Sequence, residues 1–479
     1  MGKKSKKLFS NLFIFSLGTF GSKLILFFLI PLYTRTLTTD QYGIADLVIT
    51  IGQLVTPIIS LTIYDALFRF GMMPEEKKED VLNCFSKVFI IGSTIMVVAT
   101  PLFLFYKSIS DYVWLLCAFV ITSFSSQSGL LYLKVKNKNI TYSLLCIVQA
   151  VILIVCNILF LVVFRNGIAG YLLSTIIAYG VTTVLSCFFG QVFKDLSHSH
   201  FSKQLLKRMI SFSVPMIFVS VSWWVIHSCD KLMIDFMLDE ESLGLYTAAT
   251  KIPALLNVVI TIFSQAWTIS SIDEYNNENN KSLYSKTFKS FFVALAGAML
   301  IIILLLKPFM TIYVGKDFFI SWQYVPLLLF SSFFNGISTF MGTFYSVLVK
   351  SKNAMITTVI SAVINVALNF VFITMYGVWG AIIGTFGAYF IIAIIRMFDI
   401  KRLIQFDCSL IRFAINVCIL AACVVLVSLK YNIYVVSGAS LLIFVVFNIK
   451  ELITITREGL SFVKSVLHKK KNNSIEEGE

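Results

Sequence analysis

Four lysines of this 479-residue chain fall in otherwise apolar segments: Lys23, Lys87, Lys231 and Lys251. Acids share these segments, notably Asp46, Asp230 and Asp235, and Asp65 and Arg69 stand near the end of another. A charge in the hydrocarbon of a bilayer costs about 2.5–3.5 kcal/mol on insertion scales, so such groups face a protein interior or a water-filled cavity. Lys87 lies close to a segment end and can snorkel. The others sit on polar stripes at helical spacing. Ser16, Thr19 and Lys23 form one; Asp46, Thr50, Gln53, Ser60 and Tyr64 form a second, leading to Asp65 and Arg69. Ser220, His227, Lys231 and Asp235, with Asp230 alongside, form a third, and Lys251, Asn257, Thr261, Ser264 and Thr268 a fourth. A net cationic cleft accounts for all four, and its chemistry is to hold an anion. Lys231 with Asp235, and Asp65 with Arg69, are i, i+4 pairs that can neutralise themselves. Lys23 and Lys251 have no acid at i±3 or i±4, although Asp46 is placed to reach Lys23 across helices. The candidate binding residues are therefore Lys23, Lys231, Lys251, Asp46, Asp230 and Arg69.

The chain that positions them is 58% hydrophobic and 13% charged. Soluble domains carry about 25% charged residues, so this is an all-α polytopic membrane protein. A spanning helix needs about 20 apolar residues. That rule predicts about fourteen spans, near 8–33, 43–68, 82–106, 112–133, 140–164, 168–192, 209–237, 243–270, 286–308, 322–349, 354–376, 378–398, 411–429 and 433–450. No small-x-small cleavage site follows the first apolar run, so it reads as a retained helix. Beyond Arg457 the polar tail places Leu460, Val463 and Leu467 on one face, as a short interfacial helix or a plain cytoplasmic tail.

With the N-terminus inside, the inside loops and termini hold 29 Lys and Arg and the outside turns 6. Basic residues accumulate on the cytoplasmic side, which predicts both termini in the cytoplasm and a multi-pass protein of the cell membrane. The net charge of +14 is then a topology signal, with no nucleic-acid partner.

Internal echoes divide the chain. Leu37 and Gly43 match Leu238 and Gly244 at one offset of 201 residues. Gly167, Gly170, Thr175, Ala178 and Tyr179 match Gly377, Gly380, Thr385, Ala388 and Tyr389 at an offset of 210. Gly129, Tyr132 and Lys138-Asn139 match Gly342, Tyr345 and Lys352-Asn353. Repeats in one order describe two pseudo-symmetric six-helix bundles, as in many transporters. The expected boundaries are 1–204 for an N-lobe (helices 1–6), 205–403 for a C-lobe (helices 7–12), 404–452 for two extra helices, and 453–479 for the tail. Pro31, Pro57, Pro215 and Pro253 fall within or near helices 1, 2, 7 and 8, where proline kinks a helix.

Several motifs are missing. No GxxxxGK[ST] run signals ATP coupling and no HExxH run signals a metal centre, so no cofactor is expected. The nine cysteines have no ligand spacing and read as small buried side chains. Outside turns are too short for a catalytic domain, so the chain is read as a transporter and not an enzyme.

The run from Asp230 to Pro253 carries a family resemblance. Asp230-Lys231-Leu232-Met233-Ile234, then Leu238, then Gly244-Leu245-Tyr246, Ala249 and Lys251-Ile252 resemble the D-[RK]-x-x-I…LG-x-Y-x-x-A-x-[KR]-[IL] pattern of the polysaccharide flippase branch of the multidrug/oligosaccharidyl-lipid/polysaccharide exporter superfamily. Residues 21–46 are similar to that family's opening segment, and the resemblance extends over roughly residues 8–450. It implies a Wzx-type flippase moving undecaprenyl-diphosphate-linked oligosaccharide repeat units from the inner to the outer leaflet. Alternating access through a cationic central cavity near Lys23, Lys231 and Lys251 would serve capsule, O-antigen or exopolysaccharide synthesis. Implied partners are that lipid, membrane lipids, a coupling cation (H+ or Na+) and other polysaccharide assembly proteins. The alternatives are a lipid II flippase, which typically has a denser arginine cluster on helix 1, and a cation-coupled multidrug exporter of the same fold, which would want cleft acids such as Asp46 and Asp230.

Overall fold

The computed structural model describes residues 28–273, 280–348, 350–404, 409–454 and 456–457. Every regular element among them is helical. The α-helices, in chain order, are α1 (28–36), α2 (Thr39–Ile59), α3 (Ile63–Gly71), α4 (Lys78–Ala99), α5 (Val113–Val135), α6 (Asn139–Asn157), α7 (Gly167–Gly190), α8 (Val192–Ser197), α9 (Lys203–Met237), α10 (Glu240–Asp273), α11 (Asn280–Tyr313), α12 (Val325–Val347), α13 (Ser351–Tyr376), α14 (Val378–Ile404), α15 (Leu410–Ser428) and α16 (Ile433–Phe447), with short 3-10 or π segments at Thr100–Phe105, Lys107–Tyr112, Ile158–Val163 and Lys316–Tyr324. Twelve described helical stretches are long and apolar enough to cross a membrane, and α16 is a shorter apolar helix. Most of the expected first span, together with Lys23, and the tail helix around Leu460 lie outside the described residues.

The echoes in sequence are echoes in structure. Thr38 caps α2: its hydroxyl accepts the Gln41 N–H at 3.3 Å, and the Gln41 side-chain oxygen accepts the Thr38 N–H at 3.3 Å. This is a reciprocal capping box. Asp239, at the same offset of 201, plays that part for α10 and accepts the Ser242 N–H at 2.7 Å. Gly167 and Gly377 both take a left-handed backbone, φ +54° and +58°, just before or at the start of α7 and α14. Tyr132 donates its phenol to Asp195 at 2.6 Å, and its counterpart Tyr345 donates to Asp399 at 2.7 Å. Each copy thus uses a tyrosine–aspartate bond to tie its fourth span to the chain at the end of its sixth, on the short α8 after α7 in one copy and in the last turns of α14 in the other.

The second predicted span is broken. A kink at Pro57 is expected from the missing N–H, yet α2 ends at Ile59, and Leu61 and Thr62 turn left-handed before α3 begins. Freed backbone groups in a membrane must find protein partners. The Thr62 N–H reaches the Pro57 carbonyl at 3.2 Å and the Ser60 hydroxyl at 3.2 Å. The Thr62 hydroxyl donates to the Ser213 carbonyl of α9 at 2.9 Å.

Packing gathers the chain into two compact units. The first takes residues up to Lys251 with Thr311–Ser321 and Thr358–Ala388; the second takes Ile252–Met310, Trp322–Thr357 and the residues from Tyr389 onward. The first has a core around Leu67, Phe85, Phe124 and Met209, linking α3, α4, α5 and α9. The second is built on stacked aromatics: Phe263 on Phe291 at 4.3 Å and Trp267 on Phe340 at 5.4 Å. It also buries Arg396 in α14, 4% exposed, with bonds to the Ser338 carbonyl and the Thr357 hydroxyl at 3.1 Å. The long side chain is satisfied by groups on the neighbouring helices α12 and α13.

Candidate functional site

Helices α2, α9 and α10 converge on one carboxylate. Asp46 is 5% exposed and stands two turns into α2, where the cap at Thr38 and the close passage of Gly43 fix the start of the helix. Its Oδ2 meets Lys231 Nζ at 2.5 Å and its Oδ1 meets Lys251 Nζ at 2.9 Å. Lys231 Nζ also lies 3.4 Å from the Thr50 hydroxyl, one turn along α2 from Asp46. Trp224 Nε1 donates to the Thr50 carbonyl at 2.9 Å, setting the rotation of α9 against α2. The Tyr42 ring lies 5.7 Å from Lys251 Nζ, within cation–π range, and leans on Tyr171 and Phe318. The result is a lysine–aspartate–lysine cluster with one positive charge in excess, held by three helices and floored by aromatics.

A second buried carboxylate lies next to Lys231 in sequence but faces other helices. Asp230 is 2% exposed. It accepts from the Tyr246 phenol of α10 at 2.7 Å, from the Thr385 hydroxyl of α14 at 2.5 Å, and from the Asn369 amide of α13. Cys229 donates to Asn365 Oδ1 at 3.1 Å beside it. Among the described residues Asn369 Oδ1 and Asn365 Nδ2 are buried with no hydrogen-bond partner, so the cage has unused polar capacity. Its bonds come from neutral groups; among the described residues no ion pair joins a cation to Asp230.

The candidate residues therefore separate. Asp46, Lys231 and Lys251 come together. Asp230 forms its own cage one residue away. Arg69 lies at the C-terminal end of α3, with its guanidinium 4.5 Å from the Phe212 ring. Lys23 is outside the described residues. Two local pairings expected from spacing do not form. Lys231 turns to Asp46, while Asp235 accepts from Tyr106 on the connection before α5, because the three-helix crossing offers Lys231 a more buried acid than its own helix does. Arg69 stacks on Phe212, and among the described residues no ion pair joins it to Asp65.

Tyr246, Thr385, Asn365 and Asn369 were not among the residues the sequence singled out for binding. Two of them carried a signal: Tyr246 belongs to the same stretch as Asp230, and Thr385 to the echo with Thr175. The two asparagines are spaced i, i+4 on an apolar helix, a pattern that equally fits helix packing.

Comparison with known proteins agrees with this architecture. The family described as "Polysaccharide biosynthesis protein" matches residues 8–269, and the MatE family matches residues 215–371. A Haemophilus influenzae protein named for the Lsg locus is 22% identical over 269 residues, 54% of this chain and 65% of the relative. The match thus spans just under two thirds of that relative's length. Among solved structures, the lipid II flippase MurJ in an inward closed conformation aligns over 92% of this chain and 100% of its own, with TM-score 0.69 and 15% identity. An inward-facing multidrug resistance MATE family transporter of the MOP superfamily aligns over 80% of this chain and 98% of its own, with TM-score 0.63 and 15% identity. At such identities the likeness is one of fold.

Proposed function

The chain belongs to the polysaccharide biosynthesis protein family, and from that premise we propose that it is a flippase for undecaprenyl-diphosphate-linked oligosaccharide repeat units. It carries them from the inner to the outer leaflet of the cytoplasmic membrane, by alternating access, as a transporter and not an enzyme. The observation that carries this reading is the sharing of one buried carboxylate by Lys231 and Lys251. A diphosphate offers these ammonium groups the same kind of charge-assisted bond that Asp46 does. A headgroup that displaces Asp46 satisfies both lysines and frees α2 from α9 and α10. Leaving either charge buried and alone is strongly unfavourable, so the exchange couples occupancy to helix movement. Outward movement of an anion is favoured by about 2.3 kcal/mol per charge per 100 mV of inside-negative potential.

The Asp230 cage supports a coupling cation as the second component. A buried carboxylate beside hydroxyl and amide oxygens suits a proton or a hard monovalent ion, and cations of that class prefer oxygen ligands. This also keeps a second reading in view, cation-driven export of other small molecules, in line with the chain's likeness in fold to a multidrug resistance MATE family transporter.

Rescue in two strains separates the readings. Expression should restore surface polysaccharide to a strain lacking its repeat-unit flippase and should not restore growth to one lacking its lipid II flippase. Rescue of growth with no rescue of polysaccharide assigns lipid II as the cargo instead.

A further inference from the structure

Far from the lysine–aspartate–lysine cluster, the first unit holds an open pocket of about 440 Å³ between the last turn of α3 and the first turns of α9. Arg69, Lys207 and Arg208 line it, with Phe70, Met73 and Phe212 as its apolar wall. The cations are arranged on the wall. The Arg69 guanidinium sits 4.5 Å from the Phe212 ring and that of Arg208 5.4 Å from the Phe70 ring. Stacking fixes a guanidinium plane while leaving its N–H edge free to bind a planar or tetrahedral anion. Glu76 takes part of this capacity through its 2.5 Å pair with Arg208. The four charged groups still sum to an excess of two positive charges. Lys207 is exposed. It precedes Lys231 by 24 residues on the same helix, about 36 Å of helix at 1.5 Å per residue. The hydrocarbon core of a bilayer is about 30 Å thick, so the pocket and the cluster lie toward opposite faces of the membrane.

We infer that this pocket binds the phosphate or diphosphate of a lipid headgroup at the membrane interface rich in Lys and Arg, separately from the cluster around Asp46. An apolar wall beside paired guanidinium groups fits an amphiphile better than a free ion. Basic pockets at that depth recognise phosphate-bearing headgroups through the same contacts. Binding of a headgroup phosphate follows from the pocket alone. Its identity as the arriving cargo rests on the function proposed above, with the pocket as the loading station and the Asp46 cluster as the later one.

The test uses the full chain in phosphatidylcholine nanodiscs, with native mass spectrometry counting added undecaprenyl diphosphate or phosphatidylglycerol. The variants are Lys207→Gln and Arg69→Gln/Lys207→Gln/Arg208→Gln, with Lys251→Gln for comparison. We expect roughly tenfold weaker retention of undecaprenyl diphosphate in the triple variant, from loss of its charge-assisted bonds. Lys207→Gln should show a smaller loss, and it leaves the Arg208–Glu76 pair intact, so misfolding of the triple variant does not obscure the outcome. Retention of phosphatidylglycerol equal to that of the diphosphate lipid supports the site and assigns it to bulk membrane lipid. Full competition by inorganic pyrophosphate without a lipid chain overturns a lipid site. So does unchanged retention in Lys207→Gln and the triple variant. Failure of polysaccharide rescue would overturn the proposed cargo while leaving the phosphatidylglycerol arm to decide the pocket.

Discussion

Gly43 and Gly244, which hold matching places in the two copies of the repeat, touch each other. A Cβ on Gly43 would lie 2.9 Å from the Gly244 nitrogen and 2.8 Å from the Glu240 carbonyl oxygen; one on Gly244 would lie 2.0 Å from the Thr39 carbonyl oxygen. The starts of α2 and α10 therefore meet backbone to backbone, next to the caps at Thr38 and Asp239. This crossing brings Asp46 and Lys251, three and seven residues further along, within 2.9 Å.

Substitution at this crossing should loosen the site. Gly244→Ala must push backbone aside, at about 1–3 kcal/mol for an overpacked contact. Gly180→Ala, where no atom lies within 4 Å of the added carbon, should be neutral or slightly stabilising. Thermal unfolding of the two purified variants in the same detergent checks this. Equal midpoints would mean that the crossing is not tightly packed.

The left-handed glycines make a cleaner backbone test. At Gly167 and Gly377 the nearest atoms to an added Cβ are 3.8 and 3.9 Å away, so alanine there meets no clash. Its cost is conformational, about 1–2 kcal/mol for a left-handed L-residue. Gly167→Ala and Gly377→Ala should lower stability by similar amounts, read as matched shifts in unfolding midpoint. A large effect in one copy only would deny the two positions a common role.

The break after α2 depends on Thr62. Thr62→Val keeps the shape but removes the donor to the Ser213 carbonyl, and a buried group left without its bond costs about 1–3 kcal/mol. Thr94→Val, at an exposed position bonded only within its own helix, should change stability by less than about 0.5 kcal/mol. Comparable losses in both would show that the α3–α9 contact contributes nothing special.

Asp230 offers a test of coupling. Asp230→Asn removes the charge while keeping a group that can stay in the cage with Tyr246, Thr385 and Asn369. Transport measured in proteoliposomes against Na+ and proton gradients should lose its cation dependence in this variant while the protein remains folded. Dependence equal to that of wild type would place the coupling elsewhere.

What the sequence made legible followed from patterns with a single physical reading. A charged fraction of 13%, against about 25% in a typical soluble domain, meant membrane helices, and the repeated glycines meant two copies, with left-handed backbone at Gly167 and Gly377 and a close helix contact at Gly43 and Gly244. The deeper lysines were visible as costly charges, but their partner was not. Lys231 stands four residues from Asp235, so local spacing pointed along α9, whereas the real acceptor lies 185 residues away on α2. Only a helix crossing decides between two acids within reach. The break at Leu61–Thr62 was hidden for a related reason. No glycine marks it, and Thr62 keeps a conformation uncommon for a β-branched residue because its bonds to Ser60, Pro57 and Ser213 hold it there. The Asp230 cage was half visible, through Tyr246 and Thr385, while Asn365 and Asn369 look like any packing amides until α13 is set beside α9.

The most direct test of the account is surface polysaccharide in a strain lacking its repeat-unit flippase, complemented at matched membrane levels by wild type, Lys231→Ala, Lys251→Ala and the charge-keeping Lys251→Arg. The account predicts that wild type restores the polymer, that both alanine variants fail, and that arginine at 251 retains part of the activity. Full restoration by both alanine variants would contradict it, and would reduce the Lys231–Asp46–Lys251 cluster to a packing feature of α2, α9 and α10.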